Sequence, residues 1–267
     1  MKVEAIMTRN PVTVSSSADL DQALELMDEH DVRHLPVLTE GALAGVISDR
    51  QVFEATGCLH LRQREVLDAP EGNVGQFMRA PAATVELREP IGTVLEQFVQ
   101  GRIGYVPVLE EEHMVGVVTE IDVLRSYVNA RRRGEIGPES DAPIEEHMTR
   151  DPVTITGDES GSEAAELMRE KGVRHLPVMD GDVLVGMVSD RDIRIQRGRG
   201  ALELTLVSEL MSPEPETAQH DQLISSVALM MTSERISALP VLEGARLVGI
   251  ATTIDVMGAC ASALKNA

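Results

Sequence analysis

The sequence predicts a mixed α/β (α+β) protein of four β-α-β-β-α repeats that form two intramolecular pairs. Landmark residues return four times at one spacing: a methionine, a threonine six residues later, a proline 29 residues after the methionine, and a glycine nine residues after the proline. They are Met7, Thr13, Pro36 and Gly45; Met78, Thr84, Pro107 and Gly116; Met148, Thr154, Pro177 and Gly186; and Met211, Thr217, Pro240 and Gly249. Because no insertion interrupts a block, one backbone path is expected for all four. So small a unit cannot bury its own sheet, which predicts pairing.

The third repeat shows why each element is expected. Residues 151–155 predict a strand, since Pro152 disfavours a helix and the β-branched residues after it favour extended backbone. Residues 158–162 supply side chains typical of a helix start. The apolar residues that follow mark one helical face, and Gly172 is expected to end this helix.

A hairpin and a second helix follow in the same repeat. Residues 173–179 predict a short strand, residues 180–182 (Asp-Gly-Asp) a tight turn, and residues 183–188 the last strand. Ser189 then begins the second helix. Both helices are expected to pack on one face of a three-stranded sheet.

The distances between repeats divide the chain into two halves. Successive landmark methionines are 71, 70 and 63 residues apart, and residues 131–143 are polar, charged and contain Gly and Pro. We therefore expect one pair in residues 1–130, a linker in 131–143 and a second pair in 144–267. The chain is 43% apolar but only 2% aromatic, so aliphatic side chains and methionine should form the cores.

The composition excludes several classes of partner. A net charge of −20, from 24 basic and 44 acidic residues, disfavours binding to nucleic acid or to an anionic membrane. Cys58 and Cys260 have no metal-ligand spacing and predict no disulfide framework, which fits a reducing compartment. The beginning of the chain lacks a signal-peptide pattern, and no segment has the apolar length of a membrane span. We expect a cytoplasmic protein without a metal.

Three further patterns suggest structural roles. The Cys58-Leu59-His60 segment has no marked partners for a metal and is interpreted as incidental. The run Leu229-Met230-Met231 is expected in a helical core. The run Arg131-Arg132-Arg133 is expected to end a helix, where the helix dipole and solvent accommodate its charge.

Each third strand is followed by a tetrapeptide that could bind a ligand. The four are Ser48-Asp49-Arg50-Gln51, Thr119-Glu120-Ile121-Asp122, Ser189-Asp190-Arg191-Asp192 and Thr252-Thr253-Ile254-Asp255. A hydroxyl followed three residues later by an acid is close to a capping box, which satisfies free N–H groups at a helix start. Alternatively, the helix start faces a cleft, where its N–H groups receive a phosphate and the Asp binds a ribose diol. The tetrapeptides alone leave both interpretations open.

A second pattern favours the ligand. Arg33-His34 and Arg174-His175 stand directly before Leu-Pro at the same repeat position. An arginine offers a planar fork of donors for phosphate oxygens, and a histidine can add another donor. The other two repeats carry Gly104-Tyr105 and Ser237-Ala238 at this position, so the four pockets cannot be chemically equal.

Together, the Met-Thr segment, the Arg-His-Leu-Pro-Val segment and the ending Gly-x-x-[Ser/Thr]-x-x-Asp resemble the CBS domain. The resemblance covers residues 3–56, 74–128, 144–197 and 207–260. It implies two intramolecular pairs, each with two clefts that can bind adenosine derivatives such as AMP, ADP, ATP or S-adenosylmethionine. It also implies that pairs assemble further into flat, disc-like dimers.

Each implied cleft joins the tetrapeptide of one repeat to the first-strand threonine and the residues before Leu-Pro of its partner. Cleft 1 would contain Thr13, Arg33, His34, Thr119 and Asp122. Cleft 2 would contain Thr84, Tyr105, Ser48, Arg50 and Gln51. Cleft 3 would contain Thr154, Arg174, His175, Thr252 and Asp255. Cleft 4 would contain Thr217, Ser237, Ser189, Arg191 and Asp192, with Arg191 in place of an Arg-His pair.

Clefts 1 and 3 are the preferred candidates because each has both an Asp and an Arg-His pair. Cleft 2 departs from the pattern, since Gln51 stands where the family has Asp. A neutral amide loses the charge-assisted part of a hydrogen bond to a diol, about 1 kcal/mol. We expect cleft 2 to be weak, empty or altered in specificity.

The leading hypothesis is a stand-alone regulatory protein that binds an adenine nucleotide and signals to a separate target protein, as a homodimer and without a cofactor. A second hypothesis is an assembly module whose clefts are vestigial and whose Asp residues are only helix caps. A third is an enzyme acting on nucleotides, with His34 or His175 as base; nothing in the sequence orients either ring, so no enzymatic activity is predicted.

Overall fold

The four repeats follow one path in the computed structural model, which describes residues 1–56, 72–101, 103–198 and 202–266. In the first repeat the elements are β1 (Thr8–Arg9), β2 (Val14–Ser15), α1 (Leu20–Glu29), β3 (His34–Thr39), β4 (Ala42–Ser48) and α2 (Asp49–Thr56). In the second they are α3 (Val74–Phe77), β5 (Val85–Glu86), α4 (Ile91–Gly101), β6 (Tyr105–Glu110), β7 (His113–Thr119) and α5 (Glu120–Arg132).

The second half repeats this order. The third repeat comprises β8 (Thr149–Arg150), β9 (Ile155–Thr156), α6 (Gly161–Lys171), β10 (His175–Asp180), β11 (Val183–Ser189) and α7 (Asp190–Gly198). The fourth comprises α8 (Val207–Leu210), β12 (Ser212–Pro213), β13 (Ala218–Gln219), α9 (Ile224–Glu234), β14 (Ala238–Glu243), β15 (Arg246–Thr252) and α10 (Thr253–Asn266). Short 3-10 turns lie at Val3–Ala5, Pro138–Ser140 and Ile144–Glu146.

Local signals in the third repeat act as predicted. Ser160 caps α6 by accepting a hydrogen bond from the N–H of Glu163, whose carboxylate bonds back to Ser160. Gly172 ends α6 with φ 66°, and Gly181 has φ 58° in the hairpin turn, a backbone region that glycine adopts without a steric penalty.

Each sheet also contains a segment from the partner repeat, which the sequence did not predict. Strand β1 of the first repeat pairs with β7 of the second, so that Thr8 lies opposite Val117. In the second half, β8 pairs with β15 and β12 pairs with β11. The fourth exchange is a single bridge between Arg79 and Val46. We call these four pieces the exchanged segments.

The exchanged segments explain the landmark methionines and glycines. A Cβ added to Gly116 would lie 2.8 Å from the sulfur of Met7 and 2.8 Å from the carbonyl oxygen of Thr8. The same contact joins Met78 to Gly45, and in the second half Met148 packs on Gly249 and Met211 packs on Gly186. Each methionine therefore packs where its partner repeat has no side chain, which fixes both residue types.

Repeats two and four share one apolar core. Helix α5 packs against α9, and α10 packs against both α4 and α5. The core contains buried residues from both repeats, including Phe98 and Leu124 from one and Val227 and Met257 from the other. These four helices therefore join the two halves of the chain into one body.

Repeats one and three keep separate cores and meet through charged side chains. Buried Leu24 and Leu35 belong to the core of the first repeat, whereas Met168 belongs to that of the third. Between the two cores, Asp49 Oδ2 lies 3.9 Å from Arg191 Nη1, and Asp49 Oδ1 lies 3.8 Å from Arg194 Nη1. The interface on this side is thus polar.

The linker is fixed to both halves rather than solvated. The Asp141 side chain is 1% exposed and forms an ion pair of 3.0 Å with Arg131. It also accepts hydrogen bonds from the N–H and hydroxyl of Ser225 at the start of α9, at 2.9 and 2.6 Å, and from Tyr127 at 3.3 Å. The expectation that solvent accommodates the Arg131-Arg132-Arg133 run is wrong for Arg131, because a buried carboxylate in the linker requires its charge.

Two smaller expectations can also be placed. Met231 is fully buried and Met230 packs against the shared core, but Leu229 is 37% exposed. The Cys58-Leu59-His60 segment lies outside the described residues. Within the described ranges, no helix has the length and apolar character needed to cross a bilayer.

Candidate functional site

The tetrapeptides form the N-terminal ends of the second helices. Asp122 Oδ2 accepts hydrogen bonds from the Thr119 N–H at 2.9 Å and the Thr119 hydroxyl at 2.7 Å, and the Asp122 N–H donates to the Thr119 hydroxyl at 3.3 Å. Ser189 with Asp192 and Thr252 with Asp255 repeat this arrangement. All three are capping boxes that use one carboxylate oxygen, Oδ2, and leave Oδ1 outside the cap.

Gln51 forms the same cap but is also bonded elsewhere. Its Oε1 accepts hydrogen bonds from the Ser48 N–H and hydroxyl, both at 2.9 Å. Its Nε2 donates to the carbonyl oxygen of Phe77 at 2.9 Å. The amide is therefore bonded at both ends within the protein.

The residues before Leu-Pro from the two repeats of a pair meet each other. The rings of His34 and Tyr105 stack with centroids 5.1 Å apart and an angle of 17° between planes. In the second half, Ser237 Oγ hydrogen-bonds His175 Nε2 at 3.3 Å. Strand register sets Tyr105 opposite Thr119, so that His34 and Thr119, both assigned to cleft 1, lie near one another.

The four first-strand threonines occupy one structural position. Each directly precedes the short parallel strand of its repeat; they are Thr13 before β2, Thr84 before β5, Thr154 before β9 and Thr217 before β13. Thr13 is half-buried, whereas Thr154 is exposed. Parallel pairing puts Val14 opposite Val37, which brings Thr13 to the strand end that carries His34.

Three arginines from both halves surround Asp49. Arg191 and Arg194 approach it from the third repeat, and Arg33 lies close enough that the Arg191 and Asp49 charges act on its pKa. Among the described residues, the buried Arg194 Nη1 has no hydrogen-bond partner, whereas Arg194 Nε pairs with Asp190 at 3.2 Å. We call Arg33, Arg191 and Arg194 the arginine cluster.

Arg194 was not identified from the sequence. It lies one helical turn after Arg191 on α7, and that spacing was the available signal. Arg50 is exposed and pairs with Glu54 at 2.9 Å. Arg174 is also exposed, and its carbonyl oxygen accepts the N–H of Asp190.

Burial and positive charge determine the protonation of the site. Partial burial, and then the Arg191 charge, lower the pKa of Arg33. Burial lowers the pKa of His34, and burial followed by the Arg174 charge lowers the pKa of His175 to about 4. Both imidazoles are therefore neutral near pH 7, and each can donate one N–H.

A cavity opens beside cleft 4. Its volume is about 370 Å³, and Asp192 contributes to its wall. The other lining residues are Ile195, Gln196, Thr205, Glu209 and Leu210. In the parts of the chain that the structure describes, no three His, Cys, Asp or Glu side chains are grouped to hold a metal ion.

Comparison with known proteins identifies the same four repeats. The CBS domain family model matches residues 3–57, 74–129, 144–196 and 207–262. MJ1225 of Methanocaldococcus jannaschii is 27% identical over 92% of this chain and 94% of its own length. A 33.4 kDa protein of Thermofilum pendens is 27% identical over 92% of this chain and 86% of its own length.

Solved structures share the whole fold. The crystal structure of MJ1225 has a TM-score of 0.77 at 24% identity and covers 97% of this chain and 99% of that chain. A protein of Pyrococcus horikoshii gives a TM-score of 0.69 at 22% identity over 97% of this chain and 99% of that one. The order of elements and the four-repeat arrangement therefore have solved counterparts.

Proposed function

This chain belongs to the CBS-domain family, and from that premise we propose that it is a regulatory protein that binds adenine nucleotides in the clefts between paired repeats. The arginine cluster is the observation that carries the proposal. In a chain of net charge −20, Arg191 and Arg194 lie 3.9 and 3.8 Å from Asp49, beyond hydrogen-bond distance, and Arg33 is close enough for the same carboxylate to act on its pKa. A phosphate would supply the charge-assisted bonds that Asp49 does not make.

The positions of the motif residues support a nucleoside attached to that phosphate. Asp192 and Arg191 are adjacent at the start of α7, and Asp192 borders the cavity of about 370 Å³. Its Oδ1 is not part of the helix cap, so it can accept a ribose hydroxyl while Oδ2 keeps the cap. Capping and ligand binding are therefore compatible in one side chain.

The cationic end of the site favours phosphates over S-adenosylmethionine. A sulfonium near the ribose 5′ position would approach Arg33 and Arg191, which repel it. AMP, ADP and ATP place negative charge there. The nucleotide acts as a regulatory ligand, and its effect on a target protein requires that it bind one arrangement of the two halves more tightly than another.

An assembly module is the second candidate. The complete capping boxes at Asp122, Asp192 and Asp255 favour it, because they explain each Asp without a ligand. An enzyme receives less support, since no carboxylate hydrogen-bonds to His34 or His175 within the described ranges. We also propose a homodimer, which sedimentation would detect. Inside one chain, the two pairs contact each other through α4, α5, α9 and α10.

A thermal-shift panel with AMP, ADP, ATP, S-adenosylmethionine, NAD and GTP tests the proposal. Wild-type protein is compared with Arg33→Met/Arg191→Met, which removes two charges but no helix cap. Exposed Arg169→Met/Arg246→Met is the matched control. An adenine nucleotide should raise the Tm of the wild type and the control but not of the cluster variant. A flat panel at millimolar concentrations would support the assembly module instead.

A further inference from the structure

Clefts 2 and 4 occupy equivalent places in the two halves. Gln51 follows Met7 by 44 residues, as Asp192 follows Met148. Phe77 and Leu210 each directly precede the landmark methionine of the next repeat. The two clefts can therefore be compared residue by residue.

Beside cleft 4 the two equivalent residues line one cavity instead. Asp192 and Leu210 both line the cavity of about 370 Å³, and Asp192 Oδ2 is held by Ser189 at 2.6 Å. The cap thus fixes the carboxylate at the cavity wall. The space between helices α7 and α8 remains available to a ligand.

In cleft 2 the same positions are joined. Gln51 Nε2 donates to the Phe77 carbonyl at 2.9 Å while Oε1 remains in the cap with Ser48. The Phe77 ring also fills space, because a Cβ added to Gly72 would lie 2.7 Å from Phe77 Cε2. The residue equivalent to Gly72 in the second half is Thr205, six residues before Met211, and it lines the cavity.

We infer that Gln51 and Phe77 form a built-in plug that closes cleft 2, whereas cleft 4 receives the ribose end of a nucleotide. The inference rests on the proposed function for its ligand. Only a side chain with both an acceptor and a donor can hold the cap and bridge to Phe77 at once. Aspartate is one methylene shorter and has no donor when ionised, so it could not make this bridge.

Exchanging the two pairs of residues tests the plug. Gln51→Asp/Phe77→Leu should add one ATP site per chain, and Asp192→Gln/Leu210→Phe should remove one, as measured by calorimetric titration. Gln100→Asp, which makes the same charge change on the exposed face of α4, should leave the number of sites unchanged. An unchanged number in the folded Gln51→Asp/Phe77→Leu variant would overturn the inference, and the reverse exchange decides if that variant does not fold.

A ligand-free measurement separates this inference from the proposed function. Hydrogen exchange of residues 72–79 should be faster in Gln51→Asp/Phe77→Leu than in the wild type, because the bridge to Phe77 is lost. If the wild type binds no ATP but this exchange accelerates, the proposed function fails and the plug stands. If the exchange does not change, the plug is refuted whatever the wild type binds.

Discussion

Repeats two and four meet through apolar helices, whereas repeats one and three meet through charges. The difference lies at two positions of the tetrapeptide. Where the first and third repeats have Asp-Arg, the other two have Glu120-Ile121 and Thr253-Ile254. Thr253 donates a hydrogen bond of 2.6 Å to Glu120, and the helices behind them share one core.

Although all four repeats follow one backbone path, the two interfaces between them differ in role. One stabilises the chain, and the other can respond to a ligand. Burial of aliphatic side chains holds α4, α5, α9 and α10 together without any ligand. The charged side keeps three arginines near one carboxylate, and an added anion would change their balance. We therefore expect ligand binding to change the interface of repeats one and three, while the interface of repeats two and four stays fixed.

The largest expected effect separates the two kinds of core. Leu95→Ala on α4 should cost about 3–5 kcal/mol and should increase hydrogen exchange in both repeats two and four. Leu24→Ala is the matched change, since Leu24 occupies the same repeat position on α1 and is equally buried. It should increase exchange in repeat one alone, and spread of its effect to repeat three would contradict separate cores.

The linker variant Asp141→Ala should cost about 3 kcal/mol, because it leaves the Arg131 charge and the Ser225 N–H without their partner. Denaturant unfolding measures the loss. Glu139→Ala, an exposed change in the same linker, should fall within about 0.5 kcal/mol of the wild type. Equal stabilities for the two variants would contradict a fixed linker.

Acid should destabilise the folded chain through His175. Its pKa is about 4 in the folded chain and about 6.5 when unfolded, so the unfolded state binds the proton first. The stabilising contribution is complete above pH 6.5 and is lost as pH falls toward 4. Between pH 7 and pH 5, the free energy of unfolding of the wild type should fall by about 2 kcal/mol more than that of His175→Gln. Parallel pH profiles of unfolding would show that the ring is already exposed.

The smallest expected effect on stability is that of Asp49→Ala, about 1 kcal/mol, since its ion pairs of 3.9 and 3.8 Å are too long for hydrogen bonds and Arg194 keeps its pair with Asp190. The same change removes the negative charge at the arginine cluster, so ATP should bind about 2–10-fold more tightly at low salt. Glu120→Ala is the control at the same repeat position on the apolar side. Weaker ATP binding by Asp49→Ala would contradict the role of the cluster.

Local elements could be predicted from the sequence because their signals are local. Ser160, Gly172 and Gly181 each determine a cap or a turn within a few residues. The exchanged segments could not, since no residue pattern around Thr8 indicates that it pairs with a strand of the other repeat. The repeat positions of Met7 and Gly116 gave no sign of their contact.

The candidate site could be predicted from the sequence only in part. The tetrapeptides were found because they recur. The structure gives each of them a cap, and it places those of the first and third repeats at the cluster or the cavity. Arg194 occurs in one repeat only, and the second bond of Gln51 depends on Phe77, 26 residues away. Their roles depend on contacts between repeats, which a pattern within one repeat does not contain.

The exchanged segments also restrict how such a chain can be shortened or recombined. A cut placed before Met78 would leave the second repeat without β1 and the first without its bridge from Arg79. Both fragments would expose the edge of a strand and would lack the methionine that packs on the glycine of that strand. The smallest unit that could be transplanted between proteins, or duplicated within a gene, with its sheets complete is therefore a pair of repeats rather than a single copy.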